Sequence, residues 1–166
     1  MSNSNERWRF TNLVSLASTA KNIGEIKKAM EILGDAEDLI NRDPKVKSEF
    51  SDNRNIANAY AGIDSEKSFQ ILELVAYRLN GVIDGYIKYM EYSDNQRMVE
   101  NGELVINSNS RQFTNYLSLT PGASRSLAEK DFNRLKDLSD KFERPEVRIA
   151  IRLMIARALL NSNQKN

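Results

Sequence analysis

Apolar residues in this chain recur mostly three and four positions apart, the rhythm that lines one face of an α-helix. Trp8, Leu13, Leu16, Ala17 and Ala20 predict a first helix near residues 5–21, and Gly24 in "NIG" suits a positive-φ turn after it. Ile26, Ala29, Met30, Leu33, Ala36, Leu39 and Ile40 predict a second near 25–41. Asp43-Pro44 reads as an N-cap and first-turn pair for a third helix near 45–62, carrying Phe50, Ile56, Ala57 and Tyr60. Asp64 or Ser65 starts the longest element, near 65–92. There Phe69, Leu72, Val75, Ala76, Leu79, Val82, Ile83, Tyr86 and Met90 keep the rhythm for about seven turns. Ser126 and Glu129 fit a capping box for a helix near 125–142 that carries Leu127, Phe132, Leu135 and Leu138. "ERPE" turns a corner, and Pro145 sits where a first turn tolerates it, opening a last helix near 145–161.

One stretch departs from this rhythm. "QRMVENGELVINSNS" places short β-prone runs on either side of Asn101-Gly102, the pairing favoured in two-residue hairpin turns. It predicts a β-hairpin insertion near 97–107 with Glu100 opposite Glu103. An isolated two-stranded hairpin is marginal in water, so this one is expected to lie against the helices. "RQFTNYLSL" after it reads as a short helix closed by Pro121-Gly122.

The expected architecture is therefore all-α, a single domain over 1–166 made of antiparallel helical hairpins around one long helix. Ala17, Ala20, Gly24, Ala29, Leu33 and Ala36 have a further pattern: small residues that let two helices approach closely across a tight turn. In these residues, with Leu13 and Leu16, the chain resembles the tetratricopeptide repeat, a helix-turn-helix unit of about thirty-four residues. "IANAYAGIDSEKSF" begins a second partial match, with Ser68 at the small position. The family's closing proline is missing; Asn41 stands there and Pro44 follows. The resemblance implies an α-solenoid, while a generic helical bundle has the same short connections. "ANAYAGIDSEKSFQILELV" and "FERPEVRIAIRLMIARALL" also look like the C-terminal helical region of large uncharacterised bacterial proteins. That likeness transfers no activity and no site residues.

Composition narrows the function classes. The chain has 24 Lys and Arg against 23 Asp and Glu, so no net field attracts nucleic acid or anionic lipid. No apolar run is long enough to span a membrane, and the polar "MSNSNERWRF" lacks a signal-peptide core, so a cytoplasmic location is expected. There is no cysteine and no histidine. Cysteine nucleophiles, Ser-His-Asp triads and His- or Cys-ligated metal sites are thereby excluded. A carboxylate site or a Lys or Tyr base stays chemically open, but no motif places one. We expect no enzyme, no cofactor and no metal. "TPGASR" lacks the strand and GK[ST] of a phosphate loop, and Asp35, Glu37 and Asp38 read as a solvated acidic face.

Three features are candidates for interaction. Gly81 and Gly85 make a GxxxG step in the long helix, a costly choice unless another helix crosses closely there. Ala17, Ala20, Ala29 and Ala36 are the other close-packing positions. Tyr77, Tyr89 and Tyr92 crowd the long helix with Tyr86, and tyrosine favours binding surfaces. The last helix is apolar at nearly every angle, because Ile149, Ile151, Leu153 and Ile155 cannot share one face. A terminal helix normally keeps a polar outer side, so its free face, with Ile151 and Ile155 on it, is expected to meet another subunit or a further segment. Arg148 and Arg152 beside them are read as salt-bridged or solvated. The chain is thus expected to be a noncatalytic protein-interaction or scaffolding module, on its own or as part of a larger repeat protein. The alternative is a structural protein that self-associates through the last helix, and a carboxylate-dependent enzyme is the remote third.

Overall fold

The computed structural model describes residues 4–93, 99–100, 103–105, 115 and 118–163. Among them are six α-helices: α1 (Ser4–Asn22), α2 (Ile26–Glu37), α3 (Lys47–Tyr60), α4 (Ser65–Tyr92), α5 (Pro121–Asp137) and α6 (Pro145–Asn163). A 3-10 turn, Leu138–Lys141, links the last two. Each odd-numbered helix packs on the next: α1 on α2, α3 on α4 and α5 on α6. The all-helical class follows from the three-four spacing. No described helix is long and apolar enough to cross a membrane.

Local chemistry explains where the helices begin and end. Gly24, with φ +85°, closes α1, and the left-handed conformation it adopts is strained for any residue with a Cβ. The third helix starts later than Asp43-Pro44 because Glu49 takes over the capping. Its carboxylate accepts from the N–H groups of Lys45 at 2.7 Å and Val46 at 3.3 Å. Asp43 instead pairs with Arg78 at 2.7 Å. Asp64 caps α4 by accepting from the Lys67 N–H at 3.1 Å. The fifth helix differs most from expectation. Pro121 begins it rather than closing an earlier one, since Thr120 Oγ1 accepts from Ala123 N–H and proline needs no partner at the first position. Ser126 consequently lies inside the helix, and Glu129 pairs with Arg125 instead of capping. Asp131 breaks α5 with φ −158° and ψ 90°, and its carboxylate recaps the chain at Arg134 N–H.

Two apolar cores result. In the first, Phe10, Ala17 and Ala20 of α1 meet Ala29, Leu33 and Ala36 of α2 and Ile56 and Tyr60 of α3. The larger one joins Phe50 and Ala57 of α3 to Phe69, Leu72, Leu79 and Ile83 of α4. Leu127, Leu135, Phe142, Val147 and Ile151 close it from the C-terminal elements. Adjacent faces of α3, about 100° apart, serve the two cores, which makes it the element that joins them. Where α4 crosses α3, the buried Ser68 hydroxyl donates to Ala57 C=O at 2.7 Å. Arg134 clamps α5 to α4, reaching Glu66 at 2.6 Å and Glu73 at 2.9 Å while its guanidinium stacks 4.6 Å from the Phe69 ring centroid.

Of the hairpin expected over 97–107, the described part is two residues per strand. β1 (Val99–Glu100) and β2 (Glu103–Leu104) pair antiparallel, with Val99 opposite Leu104 and Glu100 opposite Glu103. β1 lies against α4 and β2 against α6. Two rungs do not amount to a hairpin of the expected length. The Asn101-Gly102 turn and most of "RQFTNYLSL" lie outside the described residues.

Candidate functional site

The most distinctive surface is the outer side of α6. Val147, Ile151 and Ile155 are buried in the larger core, so Ile151 and Ile155 are not on a free face. The expectation that they line an interaction surface is therefore corrected. Their spacing of four from Val147 aligns them with one another and with Phe142, Leu127 and Ile83 beneath. The exposed apolar residues of this helix are Ile149, Leu153 and Leu160, at 58%, 66% and 67% exposure, with exposed Ala156 between the last two. Positions 149, 153, 156 and 160 are four, three and four apart, which keeps them within about 60° of one another. They form one unbroken apolar stripe. The helix is apolar all round because one face is core and the opposite face is a second seam, unpartnered among the described residues.

Charged groups border the seam. Arg152 is exposed and reaches Asp140 at 2.5 Å and Ser139 Oγ at 3.0 Å. Half-buried Arg148 and exposed Arg157 have no ion pair among the described residues. A shallow groove of about 510 Å³ adjoins the stripe, with Phe132, Ile155, Ala156 and Leu159 among its walls. Phe132, part of the apolar rhythm of this helix, is 55% exposed. The break at Asp131 shifts the helical phase there and turns the ring outwards.

The long helix α4 offers a second exposed face. Tyr77, Tyr89 and Tyr92 are all exposed, and Arg78 lies over the Tyr77 ring at 5.5 Å. Gly81 and Gly85 share this side with Tyr77 and Tyr92. A Cβ on either glycine would meet nothing within 4 Å, so no described helix crosses closely there. The close-crossing expectation is corrected for this pair, since both look out to solvent, away from buried Leu79 and Ile83. The alanines behave otherwise: Ala17, Ala20, Ala29 and Ala36 are buried where α1 meets α2.

Sequence reading missed two clusters. Glu37, taken as part of a solvated acidic face, has a side chain only 13% exposed. It accepts from Tyr60 OH at 3.0 Å and Lys67 Nζ at 2.9 Å, and pairs with Arg42 at 3.1 Å. Burial pushes its carboxyl up, but these hydrogen bonds and the charges of Lys67 and Arg42 outweigh burial and hold it below the usual carboxylate range. Burial, followed by the Glu37 contact, drives the Tyr60 phenol up to about 12. The phenol is thus further from ionising than a free one, the opposite of what a general base near neutral pH needs. The group ties α2, α3 and α4 together. Nothing in the residue types distinguishes such a staple from a site; only the partners do.

The second missed cluster is a cleft of about 770 Å³ between α1, α3 and the start of α5. Its floor is apolar, with Phe10, Val14 and Leu33, and Lys21 and Arg54 stand on its walls. These residues lie on three helices separated in sequence, so no local motif announces them. No family model, no curated protein and no solved structure matches this chain.

Proposed function

We propose that this protein is a noncatalytic protein-interaction module of helical-repeat type that receives a partner helix on the outer side of α6. The observation that carries the reading is the exposed Ile149-Leu153-Ala156-Leu160 stripe. Its four-three-four spacing is that of an interhelical seam, and it extends over about 16 Å of helix. Burying each of its three large side chains contributes about 1–2 kcal/mol. That sum is no larger than the several kcal/mol that association costs, so charges at the rim must add to it. The rim is mainly basic. Arg152 and Arg157 flank the stripe on opposite sides, while Glu146 is the one carboxylate of the helix. The partner that fits is an amphipathic helix with an apolar stripe and acidic flanks.

Three helix pairs, each joined internally by a short connection, support a tetratricopeptide-like arrangement, and with it the likeness to helical regions of large bacterial proteins. The length of α4 breaks strict repetition. A hairpin over 97–107, extending the two described rungs, acts in this reading as a clasp between α4 and α6. Tyr77, Tyr89 and Tyr92 supply further contact area.

A second reading rests on the same stripe. It is self-complementary when two copies run antiparallel, with Ile149 opposite Leu160 and Leu153 opposite Ala156, which would make a homodimer seam. Two copies bring arginines together at the rim, so the acidic partner is preferred. Fluorescence anisotropy of a labelled synthetic helix with Leu at the seam positions and Glu at the flanks tests the choice. Binding that weakens with salt and disappears in Leu153→Glu is expected. No binding, or equal binding by the variant, overturns the acidic-helix reading. Concentration-dependent light scattering that collapses to monomer in Leu153→Glu would favour the dimer instead.

A further inference from the structure

We propose that the cleft between α1, α3 and the start of α5 binds a small amphipathic anion, its head held by Lys21 and Arg54 and its apolar body lying on Phe10, Val14 and Leu33. This site is separate from the α6 seam and does not depend on the reading given to it.

The charge pattern of the cleft carries the inference. Seven described cations are half-buried: Lys21, Arg54, Lys67, Arg125, Arg134, Arg144 and Arg148. Four of them lie against carboxylates: Lys67 on Glu37, Arg125 on Glu129, Arg134 on Glu66 and Glu73, and Arg144 on Asp84. Of the other three, Arg148 does not line the cleft, whereas Lys21 and Arg54, likewise without a carboxylate partner among the described residues, both do. No Asp or Glu stands among its described lining residues. A half-desolvated cation without a counter-ion is costly, and an anion in the cleft relieves that cost.

The walls hold these groups in place. Arg54 Nη1 donates to Asn115 C=O and Nη2 to the Asn55 side-chain oxygen, each at 3.1 Å, which orients the guanidinium and leaves its other donors without a partner among the described residues. The Lys21 amine lies directly over Gly62, where a Cβ would overlap it, and Ser126 Oγ is 3.5 Å from that same point. Gly62 therefore makes room for the amine over the backbone that follows α3. The third wall is the first turn of α5, whose dipole favours the same sign of ligand. A cleft of about 770 Å³ falls within the range of small-molecule sites. Its apolar floor asks for more than a bare inorganic ion. The shared chemistry is a carboxylate or a phosphate monoester on a short apolar chain.

Calorimetric titration of the full chain with octanoate, octyl phosphate and neutral octanamide tests the site. One or both anions should bind at least about tenfold more tightly than octanamide, the worth of one hydrogen bond to a charged group. That preference should shrink with added salt. It should fall by about tenfold or more in Lys21→Met and in Arg54→Met, with unfolding midpoints unchanged, while Lys130→Met outside the cleft retains it. A preference for octyl phosphate assigns the head as a phosphate ester, and one for octanoate assigns it as a carboxylate. Equal binding of all three compounds, no binding, or anion affinity unmoved in both cleft variants overturns the proposal.

Discussion

Val147, Ile151 and Ile155 on one side of α6, and Ile149, Leu153 and Leu160 on the other, are side chains of the same kind in opposite surroundings. The first three are less than 9% exposed and the last three more than half exposed. The inner face is matched by Ile83, Leu127 and Phe142; the outer one meets no described residue of comparable size. The difference lies in what each face has to touch, not in its own chemistry. Small residues show the same contrast. Ala17 and Ala29 are wholly buried where α1 and α2 pack, whereas Gly81 and Gly85 look into open space on α4. Burying apolar surface stabilises only when a partner is present to exclude the water.

The two faces of α6 should therefore respond differently to the same substitution. Ile151→Glu leaves an unpaired carboxylate in the larger core. It should cost more than about 4 kcal/mol and remove the cooperative transition in a circular-dichroism melt. Leu153→Glu, two residues away, should shift stability by no more than about 0.5 kcal/mol. Equal losses from both would mean that the outer face is packed as well.

A smaller effect sharpens the comparison between core apolar contacts and the polar staple beside them. Tyr60→Phe keeps the ring and deletes the hydroxyl that donates to Glu37. The expected loss is about 1 kcal/mol in a urea titration at neutral pH. The staple also fixes a pH profile. Tyr60 and Lys67 are raised in the fold, so their contribution is complete below about pH 10 and is lost as pH climbs towards the phenol's value of about 12. Glu37 is lowered, so its contribution is complete above the ordinary carboxylate range and is lost as pH falls through its depressed value. Stability should be flat between those limits, and Tyr60→Phe should make the alkaline decline shallower. An unchanged alkaline limb would remove Tyr60 from the staple.

How much of this was legible in the residues depended on range. Three-four spacing located every described helix, because amphipathicity is a local property of the chain. Asp64 as a cap and Gly24 as a turn were equally local. Helix starts failed where a competing group one turn away took over: Glu49 capped α3 in place of Asp43, and Thr120 capped α5 ahead of Ser126. The sites were harder. An all-round apolar helix announces two faces, yet Ile151 and Ile155 differ from Ile149 and Leu153 only in phase relative to α4 and α5. The four-three-four stripe was readable from residue numbers, but its exposure was not. Lys21, Arg54 and Gly62 converge from distant positions, and sequence offers no signal for convergence of that kind.

The chain has no cysteine, so a single introduced thiol reports on its own position without background. The most direct measurement is the rate at which Leu153→Cys and Ile151→Cys react with a thiol reagent under native conditions. Leu153→Cys should label at close to the rate of a free thiol, and Ile151→Cys only on unfolding. Protection at 153 equal to that at 151 would show the outer face of α6 to be already covered, and would contradict a seam that waits for a partner.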